Sequence, residues 1–379
     1  MSPIHPRKDA PRRRPLSRRT AAVGAVLALA GGLTTAAVAT SAGADEAAFV
    51  QTNLVSNRPG IPATFHDDAL QNAWGMSAGD TSPLWVSDNN SDSTTLYSEQ
   101  VPGLKVTLPG NIKAVKIEGG APTGQVFNTG AFMAHNADRS VAAKATFIFA
   151  SENGTITAWS LNADPTTAHI EVNNGANAVY KGLAIATSGG QTFLYAANFR
   201  SGRVEVYDTN YQPVTLKGLF TDFSLPNGYA PFGIQAFGGK IYVSYALEND
   251  QLHDDVAGPG HGFIDVFNTD GTLVGRLVTR GQLDSPWGMA IAPAGFGRFG
   301  GALLVGNFGD GHINAYDPVH GTHLGTLRAD DGRPIVIDGL WGLRFGNGTS
   351  FKRSELVFAA GPTMETDGLL GTITAKSNP

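Results

Sequence analysis

The chain of 379 residues contains no cysteine, which excludes a disulfide framework, a thiolate nucleophile and a Cys-ligated metal. Charged residues make up only 16% of it, so stability must come from a large apolar core, which a chain of this length can build. After the N-terminal region no run of 18 or more apolar residues occurs, so no membrane span is expected in the mature form. The zinc-protease signature HExxH, the Gly-x-Ser-x-Gly elbow and the phosphate-cradling P-loop are all missing. Helical spacing is missing as well. What remains is a chain rich in glycine, with 48 residues, whose turn signals punctuate short apolar runs.

The N-terminus reads separately. Seven basic residues, Arg7, Lys8, Arg12, Arg13, Arg14, Arg18 and Arg19, precede an apolar run beginning at Ala21 and the small-x-small triplet Ala42-Gly43-Ala44. This layout predicts an export signal over residues 1–44, cleaved near Ala44, and a secreted product. The competing membrane anchor is weakened by Gly and Thr within the run, and the Arg18-Arg19 pair leaves both general and twin-arginine export open. Residues 45–379 hold 20 basic and 31 acidic groups, a net charge of −11. A surface this acidic repels phosphate backbones, so nucleic acid is excluded as a partner.

One pattern recurs in the mature region: an aromatic, Pro or small residue, then x-Gly, then an apolar run. It stands at "AWGMSAG" (Gly75), "PTGQVFN" (Gly124), "YKGLAIA" (Gly182), "PFGIQAF" (Gly233), "PWGMAIA" (Gly288) and "LWGLRFG" (Gly342). The intervals are 49, 58, 51, 55 and 54 residues, the mark of one supersecondary unit repeated six times. Each unit continues with a second apolar run ("LWVSDN", "FIFASE", "LYAANF", "IYVSYA", "LLVGNF", "LVFAAG") and a third of alternating polarity, such as "RVEVYD" or "HINAYD". Period-two alternation of β-branched and aromatic residues predicts strands. Fourth strands are expected at "LKVTLPG", "AHIEVNN", "PVTLKGLF", "TLVGRLV" and "HLGTLR", and the sixth unit lacks one. "FVQTNLVS", Phe49 to Ser56, is a strand without a partner and completes that last unit. The fold class expected is all-β, a six-bladed β-propeller whose last blade is closed by an N-terminal strand, forming a single domain over 45–379. A large β-sandwich, or two β domains, does not predict six near-equal intervals.

The stretches "NAWGMS", "YAANFRSGRVEVYD", "HDDVAGPGHGFIDVF", "SPWGMAIAPAGFG", "GALLVGNFGDGHINAYDP" and "IDGLWGLRFGNG" resemble a family of secreted bacterial six-bladed propellers labelled conserved hypothetical proteins. The likeness spans essentially the whole mature chain and implies the propeller fold without an activity. More distantly, the blades are similar to NHL-type and gluconolactonase-type propellers. The family's last blade tends to carry a His after its Gly-Pro turn, where this chain has "GPTMETDGLLG" with Asp367.

In such a ring the starts of the first strands and the turns after the second strands share one rim. Asp88, Asn198, Asp284, Asn307 and Asp338 fall there, an oxygen-rich set suited to a Ca²⁺, although Asp and Asn after a strand also cap turns. Trp74, Tyr229, Phe232, Trp287 and Trp341, with Glu152 and Glu365, are candidates for a ligand platform; the aromatics that precede a repeat glycine could equally be wedges between blades. The most unusual segment, "HDDVAGPGHGF", belongs to a 17-residue loop, 246–262, where the other units have short turns. His253, Asp255 and His261 are its candidate proton-handling groups. In an extended segment Asp254 and Asp255 point to opposite sides, so one of them is expected at the mouth.

Three functions compete. A binding module uses this rim for an envelope glycan, peptide or small molecule; a lyase or hydrolase uses a Ca-like cation there; a structural ring is stabilised by Ca²⁺. No nucleophile or acid–base pair stands out, which favours the binding module.

Overall fold

The alternating apolar runs fold as strands, and among the described residues the only helical elements are three single-turn 3₁₀ segments. The structure, a computed structural model, describes residues 48–376, so the expected export segment lies outside the described residues. The arrangement is all-β and propeller-like. Each unit opens on its repeat glycine with an antiparallel pair and continues outward to a third strand; the fourth unit, Tyr229–Phe237, Lys240–Leu247 and Phe263–Asn268, adds a fourth, Leu273–Thr279. The fifth unit, Pro286–Ile291 to His323–Thr326, repeats this order.

In the last unit the fourth place is taken by Phe49–Ser56, which runs antiparallel to Leu369–Ala375 with Phe49 opposite Ala375 and carries the two-residue strand Phe65–His66 on its outer side. The N-terminal strand therefore completes the C-terminal sheet, as its unpartnered apolar pattern predicted. It leaves one edge fewer for pairing with another chain.

Two expected outer strands are displaced. In the first unit "LKVTLPG" makes only isolated bridges, Tyr97 to Lys105 and Leu108 to Ile112, and the outer strand is Ala114–Ile117 instead. That strand pairs in parallel with Thr167–Asn173 of the second unit, so the first two units merge into one eight-stranded sheet. In the third unit "PVTLKGLF" forms no strand. Its backbone leaves the sheet after Val214 and bonds to the neighbouring unit, with the Gly218 and Phe220 amides donating to the carbonyls of Asp270 and Gly271 (2.8 and 3.1 Å). The third sheet is thus three-stranded, and a groove of about 780 Å³, bordered by Val204, Val206, Tyr211, Leu216 and Phe220, opens beside its outermost strand. None of the site residues expected from the sequence lines it.

The repeat glycines exist because neighbouring first strands nearly touch. A Cβ on Gly233 would stand 2.1 Å from the Trp287 carbonyl oxygen, and one on Gly342 would stand 2.6 Å from that of Trp74. Gly75, Gly124, Gly182 and Gly288 meet the backbone of Thr123, Leu183, Phe232 and Trp341 in the same way. The series of contacts passes from each unit to the next and returns to its start. Between units, apolar faces interlock: Trp85 stacks on Phe147 at 4.4 Å, and Phe49 on Phe299 at 5.7 Å.

Candidate site at the mouth of the ring

Where the first strands converge, flat rings fill the centre. Trp74 and Trp341 stack at 3.6 Å, Phe308 covers the other side of Trp341 at 3.9 Å, and Trp287 meets both tryptophans edge-on. Phe232 joins them and is fully buried, as are Trp74 and Trp341. These aromatics, expected either to wedge between blades or to offer a platform to a ligand, instead plug the centre of the ring. Converging strands leave a narrow space that planar side chains occupy without voids. Tyr229 stands apart, edge-on to Phe263 at 4.7 Å with the Arg280 guanidinium over its ring.

Over this plug lies a charged cluster with Lys181 at its centre. The residue precedes Gly182, the place that Trp74, Phe232, Trp287 and Trp341 hold in other units. Its side chain is 3% exposed. Its ammonium pairs with Glu152, lies 3.4 Å from Asp254 Oδ1, and sits 5.3 Å from the centre of the Trp74 ring. Burial pulls the Lys181 pKa down, but Glu152, with Asp254 and Glu365, outweighs it and holds the value above that of an ordinary lysine. Lys181 therefore holds its proton more firmly than an ordinary lysine.

Two of the carboxylates around it are positioned by side-chain amides. Asn89 Nδ2 donates to Glu152 Oε2 at 2.9 Å, and Asn72 Nδ2 donates to Glu365 Oε1 at 3.1 Å. Asn72 is oriented in turn by the Trp341 indole N–H, which donates to its Oδ1 at 3.0 Å, so the plug and the cluster share a residue. Glu365 sits on a turn in which Thr363, Met364 and Glu365 all have left-handed backbones, with φ of 59°, 53° and 63°. Such conformations cost about 1–2 kcal/mol per non-glycine residue. The turn is held by Asn90 Nδ2 donating to the Glu365 carbonyl (2.6 Å) and by Asp338 Oδ2 accepting from the Thr363 amide (2.8 Å).

The long loop delivers the remaining acids. It begins as a small hairpin in which Glu248 faces Asp255, the Asn249 amide donates to the Asp254 carbonyl, and Leu252 turns the chain with φ of 54°. Asp254 reaches Lys181 and pairs with His253 Nδ1 at 2.7 Å. Burial pushes the Asp254 carboxyl up, yet His253 and Lys181 draw it below its usual range. Asp255 behaves oppositely: burial raises it, only partly offset by Ser285 and Lys181. Of the two aspartates, Asp254 contacts Lys181, whereas Asp255 faces Glu248 across the hairpin. Glu365 is raised as well, by burial first and then by the charges of Glu152 and Asp255.

The five oxygen donors expected to converge on a cation are each engaged by hydrogen bonds within the protein. Asp88 is fully buried and accepts from Thr95 Oγ1 at 3.2 Å, and burial raises its pKa. Asn198 Oδ1 accepts the Val179 amide at 3.2 Å, Asp284 Oδ1 that of Gly258 at 2.7 Å, and Asp338 the Thr363 amide. Asn307 donates to Asp310 at 3.0 Å. Among the described residues, the acidic and imidazole groups that bring three ligand atoms within 4.8 Å of one another are Glu152, His253 and Asp254, none of the five. Lys181 already supplies positive charge at that point. His261 remains with its own loop, its Nδ1 on the Val256 carbonyl oxygen at 2.8 Å. Asp367, in place of the family's His, forms an ion pair with Arg58 at 2.9 Å. Lys181 and Asn89 were not among the candidates. A lysine in a column otherwise aromatic or small was the available signal.

Glu248 offers a test of the loop's burial. Its Oε1 has no hydrogen-bond partner, and burial lifts its pKa from 4.5 to about 7. A raised carboxyl favours folding while protonated, an advantage complete below the unfolded value and lost as pH rises through about 7. Glu248→Gln is therefore expected to melt about 2 °C above the parent at pH 8. At pH 4 the two melting curves should coincide.

No family model matches the chain. It is 34% identical over 329 residues to uncharacterized protein R648 of Acanthamoeba polyphaga mimivirus, covering 84% of this chain and 78% of that protein. Uncharacterized protein L690 of the same virus is 35% identical over 328 residues, covering 84% of each. These relatives are viral, which corrects the expectation of a bacterial family. Similar solved structures include a glucose dehydrogenase (TM-score 0.49, 13% identity, 86% of this chain and 100% of that one). A Staphylococcus aureus virginiamycin B lyase (0.47, 10%, 86% and 99%) and a putative gluconolactonase (0.40, 18%, 66% and 80%) are also similar.

Proposed function

Since the chain belongs to the family of the mimivirus proteins R648 and L690, we propose that it is an exported six-bladed propeller that binds a small polar ligand at the mouth of its ring. The blade count is supported by the strand order of the eight-stranded sheet, which divides at its one parallel pair into two four-stranded halves. It is supported also by the closed series of glycine contacts. The ligand is a glycan, peptide or small-molecule fragment of a cell envelope.

One observation carries the reading. Glu152, Lys181, Asp254, Asp255 and Glu365 come from four units and sense one another's charge above an aromatic floor. Concentrating buried charge is unfavourable for stability alone and is characteristic of sites that recognise ligands. A thermal-shift screen of envelope fragments against the folded mature protein is expected to yield ligands whose shift disappears in Asp254→Asn. Shifts that persist undiminished in that variant would move binding away from the mouth.

A second reading rests on Asp254 and Asp255. Adjacent carboxyls, one held ionised and one pushed toward its acid form, match the base and acid of a lyase or hydrolase. Turnover of a ligand found in the screen, abolished in Asp255→Asn with melting unchanged, would favour that reading over simple binding.

A further inference from the structure

We propose that the end of the ring opposite the mouth binds the carboxylate of a small, partly apolar molecule, with Arg344 as its counter-ion. This second site uses none of the residues of the charged cluster. The first strands start at the aromatic plug and finish at this end, where the far halves of five of them border a cavity of about 320 Å³. A volume of this size suits a small ligand. Asp80 and Thr129, both exposed, stand in its lining, so it opens to solvent.

One column of the repeat explains the space. The second residue after each repeat glycine is Ser77, Val126, Ala184, Gln235, Ala290 or Arg344. Ser77, Val126 and Ala184 are short, and they border the cavity together with the longer Gln235 and Arg344. Arg344 is the one cationic residue of that lining, and among the described residues no carboxylate pairs with it. Its Nε lies 3.4 Å from the carbonyl oxygen of the adjacent Phe345, a long contact. Its terminal nitrogens have no hydrogen-bond partner among the described residues. Burial alone pulls the Arg344 pKa down to about 10, with no neighbouring acid to offset it. A guanidinium withdrawn from water without a counter-ion is unfavourable for folding, and it marks a place where a ligand supplies the anion.

The other groups of the lining suit the same ligand. The Ser77 hydroxyl and the Gln235 amide have no hydrogen-bond partner among the described residues and can donate to an anion. Met76, Phe127 and Ile185 add apolar surface for a hydrocarbon tail. A guanidinium presents its N–H groups as a planar fork that matches the two oxygens of a carboxylate. An amine would be repelled by Arg344. A phosphate dianion would bring two charges to a single cation, with Asp80 adding repulsion at the rim, whereas a carboxylate brings one.

Three probes with the same tail and different heads test the assignment: pentanoate, pentan-1-ol and pentan-1-amine, with inorganic phosphate as a fourth. Calorimetric titration of the mature protein at pH 7 is expected to show pentanoate binding at least about ten-fold more tightly than pentan-1-ol or phosphate, with no binding of the amine. Arg344→Gln should weaken pentanoate at least about ten-fold while the far-ultraviolet dichroism stays that of the parent. Gln235→Leu, which removes no charge, should weaken it about five-fold, and it carries the test if Arg344→Gln does not fold. Pentan-1-ol binding as tightly as pentanoate, phosphate or the amine binding best, or no binding of any probe would overturn the assignment. So would pentanoate affinity unchanged in Arg344→Gln or, where that variant does not fold, unchanged in Gln235→Leu.

Discussion

Replacing Lys181 with methionine should destabilise the protein by about 3–5 kcal/mol, the range for removing one partner of a buried ion pair. The side chain is 3% exposed and Glu152 is 13% exposed, so the carboxylate left behind has little water to turn to. Asp254, at 61% exposed, can be rehydrated and contributes little to the loss. Methionine preserves most of the apolar stem, so the effect isolates the charge. Urea unfolding at pH 7 measures it. The double variant Lys181→Met with Glu152→Gln should recover most of the loss, because no buried charge is then left alone. A single-variant loss below about 1 kcal/mol would mean that Glu152 reaches solvent and that the cluster is a surface feature.

Trp341→Ala should have an effect of similar size by a different route. Truncating a buried tryptophan costs about 3–5 kcal/mol through lost contacts and the cavity left behind. Here the cavity opens in the plug itself, between Trp74 and Phe308, where rings from other units cannot readily shift inward. The variant also deprives Asn72 Oδ1 of its indole donor, and Asn72 holds Glu365. Chemical denaturation should record the stability loss, and near-ultraviolet dichroism the loss of the stacked tryptophan pair. Affinity for a ligand found in the envelope-fragment screen should fall with them, although residue 341 lies beneath the charged cluster. Trp341→Phe, which keeps a ring but no N–H, should restore much of the stability and little of the affinity. Full affinity in that variant would show that Asn72 needs no indole to hold Glu365.

The strands were legible because their signal is local. Alternation such as that of Arg203–Tyr207 reports one buried and one more open face, whatever surrounds it. The outer strands were less legible, and "PVTLKGLF" shows why. Its alternation suits a strand, but the backbone bonds of Gly218 and Phe220 go to the next unit, a choice between neighbours that alternation does not encode. The candidate metal donors show the same limit: Asp284 accepts the Gly258 amide and Asp338 the Thr363 amide, partners that spacing along the chain does not reveal. Of the loop singled out by its composition, Asp254 reaches Lys181 and His253 supports it, whereas His261 bonds to Val256.

By itself the sequence determined the strand-forming segments, the repeated unit, the glycines spaced through it and the N-terminal strand that completes the last sheet. These follow from side-chain periodicity and from the absence of a Cβ, properties that residues carry with them. Only the tertiary structure decided that the tryptophans plug the ring instead of lining it, and that Lys181 stands among Glu152, Asp254, Asp255 and Glu365. Those groups belong to four units far apart in the chain, and burial and Coulomb energy depend on distances that exist only after the ring has closed.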